Sequence, residues 1–127
     1  EETDTTNNVA VRAALDGAEE GCVVLAGRQS SGRGRRGRAW FSAPRSLAFT
    51  VVLRPSRTTA QELTHMALRA VSGAIREICG LECEIKEPND VLLRGTKICG
   101  VLTESGLRAE ELAWVVVGIG VNVNVRE

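Results

Sequence analysis

The segment spanning residues 59–79 constrains the fold most. Leu63, Met66, Ala67, Ala70, Val71, Ala74, Ile75 and Ile78 recur at helical spacing there, which predicts an amphipathic helix with a broad apolar stripe packed on a core. Thr59 and Glu62 form a capping-box pattern, and Gly80 is placed to stop the helix. His65 lies beside the stripe, where a surface or half-buried position is expected. Four strand-like segments follow with no helix between them: 82–86, 90–93, 97–104 and 113–121, with Arg94-Gly95-Thr96 as the tight connection of a hairpin. Before the helix, Thr5-Thr6-Asn7 offers N-cap residues for an alanine-rich segment, 9–20, which Gly21 would end. Segments 22–26 and 46–53 read as strands, the second ended by Arg54-Pro55. Strands that run together, with helices set apart, predict an α+β domain. Its sheet should be mixed and mainly antiparallel, with the helices packed on one side, and residues 1–127 should form one domain.

Composition agrees with that size of core. The 127 residues are 43% hydrophobic and 25% charged, enough to fold without a disulfide or metal staple. Sixteen basic residues balance sixteen acidic ones, so net charge points to no polyanionic partner. No apolar run approaches the ~18 residues of a membrane span, and no signal peptide is visible, so a soluble cytoplasmic protein without membrane association is expected. The chain opens without Met and stops straight after an apolar run, and the expectation is a piece truncated at its C-terminal end. Cys22, Cys79, Cys83 and Cys99 form no C-x-x-C pair, and the single His65 is distant, which argues against zinc. The four are expected as buried or semi-buried thiols in a reducing compartment. With no Tyr and four aromatic residues in all, platforms for stacking single-stranded nucleic acid are scarce.

Charge is unevenly distributed. Residues 28–45 hold six arginines and no acid, leaving ten basic against sixteen acidic residues elsewhere, a net charge of −6. The centre of the cluster is Gly32-Arg33-Gly34-Arg35-Arg36-Gly37-Arg38-Ala39-Trp40. Glycines let backbone N–H groups approach a ligand, and guanidinium groups pair with phosphate or carboxylate oxygens, so this loop suits an anion. Gly32, Gly34 and Gly37 also spell G-x-G-x-x-G, but the loop runs into Trp40-Phe41-Ser42-Ala43-Pro44 rather than a helix, and no acid stands about 20 residues on. An RNA-binding arginine/glycine module stays open as the weaker reading, because this is one short loop inside an ordered pattern without interleaved aromatics. A solvated loop without a task does not account for such dense arginine.

In order along the chain, five motifs accompany this loop. Gly32 to Trp40 resembles the signature loop of biotin protein ligases, and Thr5-Thr6-Asn7 resembles that family's Ser-Thr-Asn motif. Gln29 stands where the family has a biotin-contacting glutamine. Lys86-Glu87-Pro88-Asn89-Asp90 is similar to its Lys-Trp-Pro-Asn-Asp, Lys97-Ile98-Cys99-Gly100-Val101-Leu102 to its Lys-(apolar)-Ala-Gly-Ile-Leu, and Gly118-Ile119-Gly120-Val121-Asn122 to its Gly-Ile-Gly-Ile-Asn.

The resemblance implies a biotin/lipoate ligase-like catalytic domain and a two-step reaction. Biotin and ATP form biotinyl-5′-AMP and pyrophosphate, and a lysine of a biotin carboxyl carrier protein domain then takes the biotin. It implies Lys97 and the loop arginines Arg33, Arg35, Arg36 and Arg38 as catalytic. Thr5, Thr6, Asn7, Gln29, Arg33, Gly100 and Gly118 would bind biotin. Gly32, Gly34, Arg35, Gly37, Trp40, Lys86, Asn89, Lys97 and Asn122 would bind ATP and the adenylate, and Asp90 would hold Mg²⁺. Homodimer formation through a sheet edge is a further implication. DNA binding and repressor activity are not expected, since no helix-turn-helix precedes the first motif. A lipoate or octanoate ligase, or a binding-only domain, stands as the alternative.

Plainer readings stay open for single residues: strand packing for Gly118 and Gly120, core for Trp40, a turn for Asn89, a strand-edge lysine for Lys97. The sequence departs from the motifs at Glu87, where the family has Trp, and at Cys99, where it has Ala. Glu87 would matter if it pointed toward the phosphates and matter little if it pointed away.

Overall fold

A computed structural model describes residues 1–123. Its elements are β1 (Glu2–Thr3), α1 (Thr6–Leu15), β2 (Val23–Ala26), β3 (Arg28–Gln29), a single tight turn at Arg35–Gly37, β4 (Leu47–Leu53), α2 (Ala60–Cys79), β5 (Glu84–Lys86), β6 (Asp90–Leu93), β7 (Thr96–Arg108) and β8 (Glu111–Val121). Six strands form one sheet in the order β2-β4-β8-β7-β6-β5, every neighbouring pair antiparallel, and the two-residue β1 and β3 pair in parallel beside it. The α+β expectation holds.

One detail is corrected: the helices lie on opposite faces of the sheet. Alternate residues of a strand point to opposite sides. Val115, Val117 and Ile119 of β8 join Cys99 and Val101 of β7 under Leu63 and Leu68 of α2. Val116, between them, packs with Val52 against Ala10 and Ala14 of α1. β8 is therefore buried on both sides, and the nearly continuous apolar run 113–121 reflects this.

Local chemistry explains most boundaries. Thr59 Oγ1 accepts from Glu62 N while the Glu62 carboxylate accepts from Thr59 N, and Gly80 closes α2 in the left-handed region at φ 68°. The buried side of α2 is narrower than the predicted stripe. Leu63, Ala67, Leu68 and Val71 face the sheet, whereas Met66, Ala70, Ala74 and Ile78 are exposed. α1 is shorter than predicted: it ends at Leu15 because Gly17 turns left-handed (φ 91°) and Ala18 N bonds back to Ala13 O. The Arg54 guanidinium then fastens that end to the sheet through Ala14 O, Ala18 O and Ala113 O. The β6–β7 hairpin turns at Arg94-Gly95 as predicted. β7 and β8 run longer than predicted because Ala109 and Glu110, at φ 52° and 66°, make a two-residue turn without glycine. All four cysteines are free, and Cys79, expected to be at least partly buried, is exposed.

Candidate active site

A cavity of about 390 Å³ opens on the α1 face of the sheet, roofed by the glycine/arginine loop. Residues far apart in sequence meet there. Thr5, Thr6 and Asn7 come from the start of α1, Gln29 from β3, and Arg33, Gly34, Arg35, Arg36, Arg38 and Trp40 from the loop. Lys86, Asn89 and Asp90 come from the β5–β6 turn, and Lys97, Gly100 and Gly118 from β7 and β8. Three residues singled out in the sequence lie outside the cavity wall. Gly32 is buried at the loop base, where a Cβ would come within 2.6 Å of Trp40 O. Gly37 supplies a positive φ of 74°, and Asn122 donates its backbone N–H to Ile98 O at 2.7 Å.

One end of the cavity is a connected set of small polar groups. Thr5 caps α1, accepting from Asn8 N at 2.9 Å, so its hydroxyl serves the helix. Gln29 Oε1 accepts from Thr6 N at 2.8 Å and lies 3.1 Å from Thr6 Oγ1. Thr50, buried in β4 and not anticipated from the sequence, donates to Asn7 Oδ1 at 2.6 Å and lies 2.7 Å from Thr6 Oγ1. Asn7 Nδ2 donates to Leu102 O and to Glu104 Oε1. Any side chain at Gly118 would collide with Asn7, since a Cβ would sit 2.1 Å from Asn7 Oδ1. Gly118 is thus required by close approach rather than by turn geometry.

Glu104 also escaped the sequence reading. Its Oε1 accepts from Arg33 at 3.0 Å, while Arg33 donates to Asn8 Oδ1 at 2.7 Å. Asn8 in turn donates to Asp4, and this hydrogen bond, followed by one from the Thr5 backbone, lowers the Asp4 carboxyl to about 2. The available signal was the two-residue alternation from Gly100 through Leu102 to Glu104, which puts all three on one face of β7. Arg33 is therefore bound to the body of the protein. Arg35, Arg36 and Arg38 are exposed and make no salt bridge among the described residues.

At the other end, Lys97 Nζ lies 3.0 Å from Asp90 Oδ1 and 5.4 Å from the centre of the Trp40 ring. The Lys97–Asp90 contact is an ion contact rather than an aligned hydrogen bond, because Asp90 Oδ1 is buried with no donor directed along it. Trp40 itself lies across Gly100 and Gly120, which face each other in the β7–β8 register. Asn89 is a turn residue whose Nδ2 donates to Val101 O at 3.2 Å. Glu87 is among the residues that line the cavity, but its carboxylate is turned toward α2, where its Oε1 meets His65 Nε2 at 2.6 Å. Beneath the floor, burial pushes the Cys99 thiol up to about 12, with the Asp90 charge adding to the effect. No group of three His, Cys, Asp or Glu side chains is placed to hold a metal among the described residues. Asp90 could serve Mg²⁺ as a single carboxylate, since that ion commonly takes one or two carboxylates plus substrate phosphates.

The arrangement suits the joining of two anions. Arg35, Arg36 and Arg38 line the same cavity as the Lys97 ammonium, and hydroxyl and amide groups line its other end. Residues 1–122 match the model of the biotin/lipoate A/B protein ligase family. The chain is 42% identical over 125 residues to the biotin--[acetyl-CoA-carboxylase] ligase of Paracoccus denitrificans, covering 95% of this chain and 52% of that one. Its fold superposes on the biotin protein ligase of Aquifex aeolicus in complex with biotin and ATP with a TM-score of 0.81 and 36% identity, covering all of this chain and 52% of the other. The Leishmania major biotin protein ligase in complex with biotinyl-5-AMP gives 0.83 at 27% identity, covering 99% and 56%. The chain spans 38% and 52% of the length of two curated relatives that it matches, the Bacillus subtilis bifunctional ligase/repressor BirA and the Paracoccus denitrificans ligase.

Proposed function

The chain belongs to the biotin/lipoate A/B protein ligase family, and from that premise we propose that it activates biotin with ATP and passes it to a lysine of a biotin carboxyl carrier protein. The observation that carries this reading is Lys97. Its ammonium lies 3.0 Å from Asp90 Oδ1 in the same cavity as the polar pocket and the arginine loop, where a carboxylate and an α-phosphate would have to approach. Thr6, Asn7 and Gln29, with backbone at Gly100 and Gly118, suit the ureido ring and its chain. Trp40, Lys86, Asn89 and Arg35 suit the nucleotide. In the first step a biotin carboxylate oxygen attacks the α-phosphorus and the bond to the β-phosphate breaks, so pyrophosphate leaves with the electron pair. Lys97 and the loop guanidiniums hold the like-charged reactants together and offset charge on the leaving group. In the second step the carrier lysine amine, losing a proton, attacks the acyl carbon and AMP departs. Closure of the arginine loop would keep water from the mixed anhydride meanwhile. Mg²⁺ at Asp90 would supply further neutralisation of the phosphates. Four free thiols fit action in a reducing compartment.

Biotin-dependent exchange of labelled pyrophosphate into ATP tests the first step without a carrier. Exchange in the 127-residue chain is the expected result. Biotin binding measured by calorimetry, without exchange, would favour a binding-only domain, a reading motivated by the share of the relatives' length that the chain spans. Competition by lipoate or octanoate at biotin-like affinity would overturn the choice of acid.

A further inference from the structure

Glu87 presents a difficulty for a cavity that takes a polyphosphate. It sits in the β5–β6 turn between Lys86 and the Asn89–Asp90 pair, and Glu87 itself is among the residues that line the cavity. A carboxylate swung inward would stand among the cations and repel an anionic ligand. The structure instead draws it outward. Its Oε1 meets His65 Nε2 at 2.6 Å, and the Glu87 side chain is 64% exposed. His65 belongs to α2, which packs on the face of the sheet opposite the cavity. Pulling Glu87 toward α2 therefore removes its charge from the ligand's side.

We propose that His65 is a positioning residue that holds the Glu87 carboxylate out of an anion-binding cavity, so that a triphosphate binds against the β5–β6 turn. The proposal rests on the reading above in which this cavity takes the phosphates of ATP. His65 touches no ligand in this scheme. Its effect passes entirely through Glu87, and this makes a distinctive prediction: removing His65 should matter only while Glu87 carries a charge.

The test is a double-mutant cycle on the full chain. Inorganic tripolyphosphate serves as the probe, titrated by calorimetry at low salt. His65→Ala should weaken tripolyphosphate binding about threefold to tenfold, the size of a screened charge–charge effect near a protein surface. Glu87→Gln should bind as tightly as wild type or more so. The double variant should match Glu87→Gln within about twofold. His65→Gln, whose amide can still donate to Glu87, should keep the wild-type Kd. Unchanged binding in His65→Ala overturns the proposal, and so does a weakening that persists in the double variant, since that would reflect a helix defect. A wild-type chain that does not bind tripolyphosphate overturns it as well. Failure of the enzymatic reading is seen separately: a chain that binds tripolyphosphate but shows no biotin-dependent exchange loses the ligase activity and keeps the His65–Glu87 device.

Discussion

The indole of Trp40 lies directly on the bare backbone of Gly120. A Cβ built at Gly120 would come within 2.7 Å of Trp40 Cε2, and one at its cross-strand partner Gly100 would come within 3.0 Å of Trp40 Cζ3. Two glycines, one on each of the central strands, thus make a seat for the aromatic ring that ends the arginine loop.

Gly120→Ala should unseat that ring. A rigid indole cannot yield as a flexible side chain would, so the expected cost is about 1–3 kcal/mol of stability. Denaturant unfolding measures it. In a Trp114→Phe background, which leaves Trp40 as the single indole, its emission should shift toward that of exposed tryptophan. Unchanged stability and emission would mean the ring is not seated there.

Lys97→Ala should abolish adenylate formation far more than biotin binding. Removing a fixed group that stabilises developing charge typically costs about 10²–10³ in rate, so pyrophosphate exchange should fall by about that factor while the Kd for biotin moves severalfold at most. Near wild-type exchange would remove Lys97 from the catalytic role.

Glu104→Ala should free the loop at its root. Arg33 then loses its charged acceptor, and Asn7 loses one of its two, while Arg33 keeps only Asn8. Opening of residues 32–40 exposes trypsin sites. Cleavage in the loop should therefore be about tenfold faster than in wild type under conditions where the rest of the chain stays folded. Equal cleavage rates would show that the Glu104 contact does not anchor the loop.

The Cys99 thiol should make the fold sensitive to alkali. Burial foremost, and the Asp90 charge next, hold it protonated up to about 12, against 9.0 in the unfolded chain. Its contribution is intact below pH 9 and is lost as pH rises toward 12, because only the unfolded thiol ionises in that window. The denaturant midpoint of wild type should decline across that range more steeply than that of Cys99→Ala. Parallel curves would refute the assignment. Cys79, which is exposed, should react with thiol reagents well before Cys99.

Much of the lining of the candidate site was legible in the sequence, the arginine loop by its clustered charge and glycines. Lys97, Thr6, Gln29 and Gly118 were singled out by the motif resemblance, and they line the same cavity. Thr50 and Glu104 were not, since each acts by touching residues more than forty positions away. A threonine inside an apolar strand and a glutamate late in another carry no local mark of that. The assignment of arginines was also coarser than the structure: Arg33 is tied to Glu104 and Asn8, while Arg35, Arg36 and Arg38 make no salt bridge among the described residues.

Local physics and tertiary structure divide along a clear line. The capping box, helix stops, strand alternation and the two-residue turn at Arg94-Gly95 depend on neighbours a few residues apart, so the sequence by itself determined the two helices and the six strands of the main sheet in their order, though not the two-residue β1 and β3. Which helix covers which face, and where the Glu87 carboxylate is turned, depend on contacts made only after the sheet assembles. Every second residue of β8 changes sides, and its two apolar faces left the choice of partner open. Packing settled it, placing α2 over Val115 and Val117, and α1 over Val116, with the cavity and its arginine loop on the side of α1.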